Sequence, residues 1–177
     1  LSIKLHEKGL CSNQLSAYSE GDKLEARIQE NNAFRFPKKA QKIICISNGT
    51  GIIPFIGMAN ENHEKKRFDL YWGGRFQQDL DKYNDEIRHV QNLRQLASFQ
   101  YTFSREGEKQ YQYVQDLIRG DQSNIANSLL EGAVILICGS NAMRDDVLMV
   151  LEEICTAHTP NTLKYFQNNG QLKIDCY

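Results

Sequence analysis

The chain has 177 residues, of which 41% are hydrophobic, with 12 glycines and only 3 prolines, a composition that excludes disordered and collagen-like chains and leaves room for one good-sized domain. Twenty-one Lys+Arg against 22 Asp+Glu leave a formal net charge of −1, and no run of like charges exceeds Lys65-Lys66-Arg67. That balance argues against a nucleic-acid backbone binder, which is normally basic. The longest apolar run, residues 133–138, is far short of the roughly 18 residues a transmembrane helix needs, and no basic-then-apolar leader opens the chain. No membrane segment and a cytoplasmic location are expected. The five cysteines are odd in number, widely spaced and never form C-x-x-C, and the four histidines show no i, i+4 pairing. Neither a disulfide framework nor a metal site is predicted.

Taken in order, residues 2–5 and 23–29 alternate apolar and polar side chains and predict two short strands, separated by a helical turn over residues 12–18. The texture changes after Pro37. Strand candidates then fall at residues 42–47, 68–73, 99–103 and 133–138, with amphipathic helical stretches between them. Ile43-Ile44-Cys45-Ile46 and Val134-Ile135-Leu136-Ile137 are continuously apolar, as parallel strands covered on both faces should be. Strand and helix alternate, which predicts an α/β domain with a doubly wound parallel sheet. A boundary near residue 36 divides residues 1–36, too short for a core of their own, from a sheet domain over residues 37–177.

In such a sheet, ligands bind at the carboxyl ends of the strands. The first of these four strands runs into Asn48-Gly49-Thr50-Gly51, followed by Pro54. Two closely spaced glycines allow a sharp turn, and the proline is preset for the first turn of a helix whose amides would face a phosphate. It is neither a G-x-G-x-x-G nor a Walker loop, and alone it is equally well a plain strand-to-helix turn. The second ends in Tyr71-Trp72-Gly73-Gly74-Arg75, with no carboxylate to accept a ribose 2′-hydroxyl and an arginine instead, which leans toward a phosphorylated ribose. The third ends in Phe103-Ser104-Arg105, followed by Lys109, Tyr111 and Tyr113. These offer a hydroxyl, a guanidinium and an amine for a dianionic phosphate and rings for adenine, although alone they also fit a solvated loop. The fourth ends in Cys138-Gly139-Ser140, and a thiol there is more often packing than chemistry.

Together and in this order, Gly49-Thr50-Gly51-Ile52-Ile53-Pro54-Phe55, Tyr71-Trp72-Gly73-Gly74-Arg75, Phe103-Ser104-Arg105, Tyr113-Val114-Gln115, Cys138-Gly139 with Met143 and Asp146-Val147, and Asp175-Cys176-Tyr177 closely resemble the pyridine-nucleotide half of the ferredoxin-NADP reductase superfamily. The Ser-Arg and Tyr-Val-Gln elements are most similar to its diflavin branch, the sulfite reductase flavoproteins and NADPH-cytochrome reductases. The resemblance implies a five-stranded sheet and two cofactors, NADP and FAD. NADP would be held by Gly49, Thr50, Gly51, Pro54, Arg75, Ser104, Arg105, Lys109, Tyr113, Gln115, Gly139 and Asp146. Cys138 is implied beside the reacting atoms, Asp175 as the balance of charge and proton, and Tyr177 as a lid over the flavin.

Gly9-Leu10-Cys11-Ser12 resembles the segment late in the family's FAD-binding barrel that lines the FAD pyrophosphate, so Gly9, Cys11, Ser12 and Tyr177 are implied FAD contacts and residues 1–36 the remnant of that barrel. Three departures stand out. Tyr111 occupies the place of the lysine that usually precedes the Tyr-x-Gln tyrosine by two, Ser140 replaces an acid, and Tyr177 stands for a tryptophan. The implied activity is hydride transfer from NADPH to FAD and onward electron transfer, with an upstream FAD-binding domain, with or without an FMN domain, and a redox protein or haem acceptor as partners. The rival is a regulatory module that binds NADP(H) without turnover; it has no use for Cys138, Asp175 and a terminal aromatic.

Overall fold

The structure is a computed structural model that describes residues 3, 5, 9–27, 29–107 and 111–177. The chain divides into two compact units, Leu1–Asn32 and Ala33–Tyr177.

In the first unit, helix α1 spans Leu10–Ser16 and buries none of its residues. Gly9 precedes it in an extended conformation, and its carbonyl accepts from Asn13 N–H at 3.1 Å and from Ser12 Oγ at 3.3 Å. Among the described residues of 2–5 and 23–29, none of the expected strands is present. Ile3, Leu5 and the described residues of 23–29 lie in no strand and are exposed, while Ser2, Lys4 and Ile28 lie outside the described residues. Alternation becomes a strand only when a neighbour supplies hydrogen bonds and a core covers the apolar side, and none of the described residues of this unit is buried.

The second unit is a five-stranded, wholly parallel sheet in the order β3-β2-β1-β4-β5. β1 (Lys42–Asn48), β2 (Arg67–Gly74), β3 (Ser98–Phe103) and β4 (Val134–Gly139) coincide with the four apolar segments of the sequence. β5 (Leu172–Cys176) is the fifth, a half-exposed edge strand. The predicted α/β doubly wound sheet is the observed one. Helices α2 (Ile53–Asn60), α3 (Gln77–Asp81) and α4 (Asn84–Asn92) connect β1 to β3, and their apolar residues Phe55, Met58, Leu80, Ile87 and Val90 form one core with Ile43, Cys45 and Trp72. Helices α5 (Val114–Gly120), α6 (Gln122–Leu130), α7 (Asn141–His158) and α8 (Leu163–Asn168) cover the opposite face over Ile44, Ile46, Ile135 and Ile137. Both faces of β1 and β4 are thus occupied, the reason those strands are continuously apolar. Phe34 belongs to the first of these cores, its ring 5.9 Å from that of Phe55.

The chain proceeds outward from β1 to β2 and β3, then returns to lay β4 on the other side of β1. The strand order therefore reverses between β1 and β4, and a crevice opens there beyond the carboxyl ends. Among the described residues, no helix is long and apolar enough to cross a membrane.

Candidate functional site

The floor of the crevice is made by the ends of β1 and β4, where Ser47 pairs in register with Cys138, and Cys138 with Asp175 of β5. After β1 the chain forms a 3-10 turn, Gly49–Ile52, that leads directly into α2 with Pro54 in its first turn. Gly49 adopts φ +53°, a left-handed conformation that favours glycine, and its carbonyl accepts from the indole Nε1 of Trp72 at 2.9 Å. Gly51 is needed for a different reason. A Cβ there would lie 2.3 Å from the Cys138 carbonyl oxygen, so only glycine lets the turn rest on the end of β4. Trp72 itself is fully buried, edge-on to Phe103 at 6.0 Å, and anchors the turn from beneath.

Cys138 is 2% exposed and packs with the core on the α2 side. Burial pushes its thiol up to about 12, with the negative charge of Asp175 and the neighbouring Cys176 adding to the effect. The thiol is therefore neutral at physiological pH, suited to contact and not to nucleophilic attack. Asp175 is exposed beside it. Tyr177 extends the β5 ladder, its N–H donating to Gly139 O at 3.0 Å and its carbonyl accepting from Asn141 N–H at 3.1 Å. Its phenol reaches across to Thr50, with the two hydroxyl oxygens 2.9 Å apart.

A second group gathers at the ends of β2 and β3. The ladder between them continues past the strands, Ser104 N–H to Gly74 O at 2.9 Å and Arg105 N–H to Arg75 O at 3.0 Å, which sets Arg75, Ser104 and Arg105 side by side. Both arginines are exposed and Ser104 is half-buried. Among the described residues, neither guanidinium takes part in an ion pair. Two carboxylates that the sequence reading did not place here come close to them. Asp79 Oδ2 accepts from Arg75 N–H and Phe76 N–H at 3.2 Å each, and Glu106 accepts from Gln77 N–H. Both acids are thus engaged by backbone amides. Asp79 stands three residues after Phe76 in the first turn of α3, and with phenylalanine at the cap the sequence carried no capping-box signal for it.

Tyr113 precedes α5, is half-exposed, and is held by its N–H to Asp116 Oδ2 at 2.9 Å. Gly73 has room for Val114 against it, a Cβ there standing 3.4 Å from Val114 Cβ, so the start of α5 rests on the end of β2. Gln115 and Asp146, both implied nucleotide contacts, hydrogen-bond to each other at 3.0 Å. Lys109 lies outside the described residues. In the first unit Cys11 is exposed, and Ser12 turns its hydroxyl back onto Gly9. Asn48, which sequence reasoning passed over, proves central. Its side chain bonds Ser140 twice across the crevice, Nδ2 to Ser140 Oγ at 3.1 Å and Oδ1 from Ser140 N–H at 3.0 Å.

Residues 45–148 match the family described as "Oxidoreductase NAD-binding domain". Among curated proteins, the chain is 28% identical to NADPH-dependent diflavin oxidoreductase 1 of Candida albicans, over 99% of its own length and 31% of that protein's. It is 32% identical to the sulfite reductase [NADPH] flavoprotein alpha-component of Neisseria meningitidis, over 72% of its length and 22% of the relative's. It is 27% identical to the human NADPH–cytochrome P450 reductase, over 96% and 28%. The chain thus spans less than a third of each of these relatives. The parallel sheet with its reversal between β1 and β4, the glycine turn beneath Thr50 and the match across most of the sheet lead to one assignment: this chain belongs to the oxidoreductase NAD-binding domain family, the pyridine-nucleotide half of the ferredoxin-NADP reductase superfamily.

Proposed function

We propose that the chain is the nucleotide-binding module of an NADPH-dependent flavoprotein reductase of the sulfite reductase flavoprotein type, in which NADPH supplies a hydride to FAD for onward transfer of electrons to a redox protein or haem acceptor. The observation that carries this reading is the conjunction at the switch point: a neutral, buried Cys138 beside Asp175, with Tyr177 reaching to Thr50. A module that only held a nucleotide would need the turn and the arginines but none of these three.

The residues present suit the nucleotide. Two guanidiniums without an ion pair among the described residues and a serine hydroxyl, set together by the β2–β3 ladder, form a donor set for a dianionic phosphate on the ribose. Gly49, Thr50 and Gly51 bring the backbone amides of the turn toward the pyrophosphate, and Pro54, which has no N–H of its own, sets the first turn of α2 behind them. Tyr113 offers an exposed ring to the adenine, while Gln115 and Asp146 would exchange their mutual bond for polar groups of the nucleotide. Lys109 is assigned to the same phosphate.

At the reacting end, the chain's own groups orient and shield. Cys138 presents a neutral thiol at the crevice floor, where alignment of the reacting atoms governs rate. Asp175 holds negative charge next to it and is placed to balance the positive charge left on the oxidised nucleotide. Gly139 keeps that floor free of a side chain. Tyr177 shields the crevice from water and must swing aside for the nicotinamide. Residues 1–36 are assigned as the end of the FAD-binding domain, with Gly9, Cys11, Ser12 and Tyr177 as flavin contacts, and residues 37–177 as the NADP-binding domain. An upstream FAD domain, with or without an FMN domain, is the proposed partner within the full protein.

The test is purification of the full-length natural protein. The expected product is yellow and reduces ferricyanide or cytochrome c with NADPH. A colourless protein without that activity would refute the reading and leave the regulatory module.

A further inference from the structure

Asn48 joins the two walls of the crevice with a single amide group. Its Nδ2 donates to Ser140 Oγ at 3.1 Å, and its Oδ1 accepts from Ser140 N–H at 3.0 Å. The orientation of the amide is determined, because Ser140 N–H can only donate and so requires the oxygen to face it. Ser140 is at the same time the N-cap of α7, its Oγ accepting from Met143 N–H at 3.3 Å. The end of β1 is therefore tied to the first turn of the longest helix in the domain, across 92 positions of sequence.

The backbone on both sides is shaped for this contact. Gly139 adopts φ +149°, and a Cβ there would lie 2.2 Å from Asn48 Oδ1 and 2.8 Å from Met143 Cε. Gly51 lies on the Cys138 carbonyl in the same way. Strand ends at a switch point diverge as the chain leaves toward opposite faces of the sheet, so two glycines that admit close approach do not by themselves set the gap. The Asn48 amide is the side-chain link from the end of β1 to the residue after β4. Ser47, immediately before it, is fully buried beside Cys138 in register, and its hydroxyl has no hydrogen-bond partner among the described residues. The Thr50–Tyr177 bond also spans the crevice, but it leads from the β1 turn to the residue after β5 and not to the end of β4.

We propose that Asn48 is a positioning residue: its amide clasp on Ser140 sets the width of the crevice between β1 and β4, and with it the height of Thr50 above Cys138, where the nicotinamide would be held. The proposal rests on the reductase reading above. The cap of α7 does not depend on it, since Ser140 Oγ still accepts from Met143 N–H when Asn48 is removed. Asn48→Ala deletes both bonds and leaves Ser140 N–H unpaired. Asn48→Asp keeps the geometry, one carboxylate oxygen accepting from Ser140 N–H and the other from the Ser140 hydroxyl, but adds a negative charge beside the dinucleotide.

The test uses the full-length protein and two readouts. Without nucleotide, alkylation of Cys138 by iodoacetamide is followed by mass spectrometry of its peptide; with nucleotide, flavin reduction and NADPH affinity are measured separately. Asn48→Ala is expected to label Cys138 faster and to slow flavin reduction about tenfold, since small misalignments weigh on the reacting geometry, with NADPH affinity within about twofold of wild type. Asn48→Asp is expected to keep slow labelling and to bind NADPH and NADH more weakly alike. Should Asn48→Ala not fold, Ser140→Ala, which loses one of the two bonds together with the α7 cap on Met143 N–H, must shift labelling and reduction in the same direction, the cap loss being read separately as a lower melting temperature.

Wild-type labelling and reduction rates in Asn48→Ala, with only a lower melting temperature, would overturn the proposal. So would labelling in Asn48→Asp as fast as in Asn48→Ala. If the wild-type protein shows no NADPH-dependent flavin reduction, the reductase reading fails on that result, and the labelling comparison still decides the clasp.

Discussion

The hydroxyl oxygens of Thr50 and Tyr177 stand 2.9 Å apart and join the turn after β1 to the residue after β5. The Tyr177 main chain is held on both sides, to Gly139 O and from Asn141 N–H, while the residue as a whole is 67% exposed. The ring can therefore leave the crevice without movement of the strand. Tyr177→Phe removes the bond and retains the ring. An exposed hydrogen bond contributes about 0.5–1 kcal/mol, so NADPH should bind about two- to fivefold more tightly to this variant. Titration of the full-length protein measures it, and an affinity equal to or weaker than wild type would count against the lid role proposed for Tyr177.

Arg105 stands beside Arg75 and Ser104 because the β2–β3 ladder continues beyond the strands. A charge-assisted hydrogen bond is worth roughly 1.5–3 kcal/mol, so Arg105→Ala should weaken NADPH by about tenfold or more and leave NADH unaffected. Equal losses for the two nucleotides in parallel titrations would remove Arg105 from the ribose phosphate.

Cys138→Ala separates packing from positioning. The reading above requires slower flavin reduction at nearly constant NADPH affinity, whereas a packing role requires a loss of about 1 kcal/mol in stability and an unchanged rate. Because the thiol is pushed up to about 12, its ionisation should leave no inflection in the reduction rate between about pH 6 and 9. Stopped-flow reduction across that range tests both statements.

Buried thiols also set the alkaline limit of stability. Burial raises Cys45 well above the ordinary range, Cys138 to about 12 and Cys155 to about 11. On unfolding these thiols return to about 8.5, so above that pH the unfolded state binds fewer protons than the folded one. Their contribution is complete below about pH 8.5 and declines as pH rises toward the folded values, by up to about 1.4 kcal/mol per pH unit for each thiol. Melting temperature should fall between about pH 8.5 and 10, and Cys155→Ala, distant from the crevice on α7, should make the decline shallower. A slope identical to wild type would remove Cys155 from this account.

Two glycines near the crevice should respond with opposite signs. Gly51→Ala places a methyl 2.3 Å from the Cys138 carbonyl oxygen, a contact of backbone that cannot turn away, and should cost about 1–3 kcal/mol. Gly57 lies exposed in α2 with nothing within 4 Å of a Cβ, so Gly57→Ala should stabilise by about 0.5–1 kcal/mol. Chemical denaturation of both variants checks the pair, and similar signs would contradict the packing described for Gly51.

By itself, the sequence determined what each segment could encode locally. Continuous apolar runs specified β1 and β4 as buried on both faces, the Gly-Thr-Gly turn with Pro54 specified the start of α2, and the motifs at successive strand ends specified the family. Only the tertiary structure decided what depends on neighbours. β5 shows no apolar run because it is an edge strand, and its place follows from pairing with β4. The alternating residues of the leading segment form no strand where they are described, because alternation without a partner or a core has nothing to bury against. The bonds of Asn48 to Ser140 and of Thr50 to Tyr177 join residues 92 and 127 positions apart. Such contacts arise from strand order, which local periodicity does not contain, and they set the geometry of the crevice.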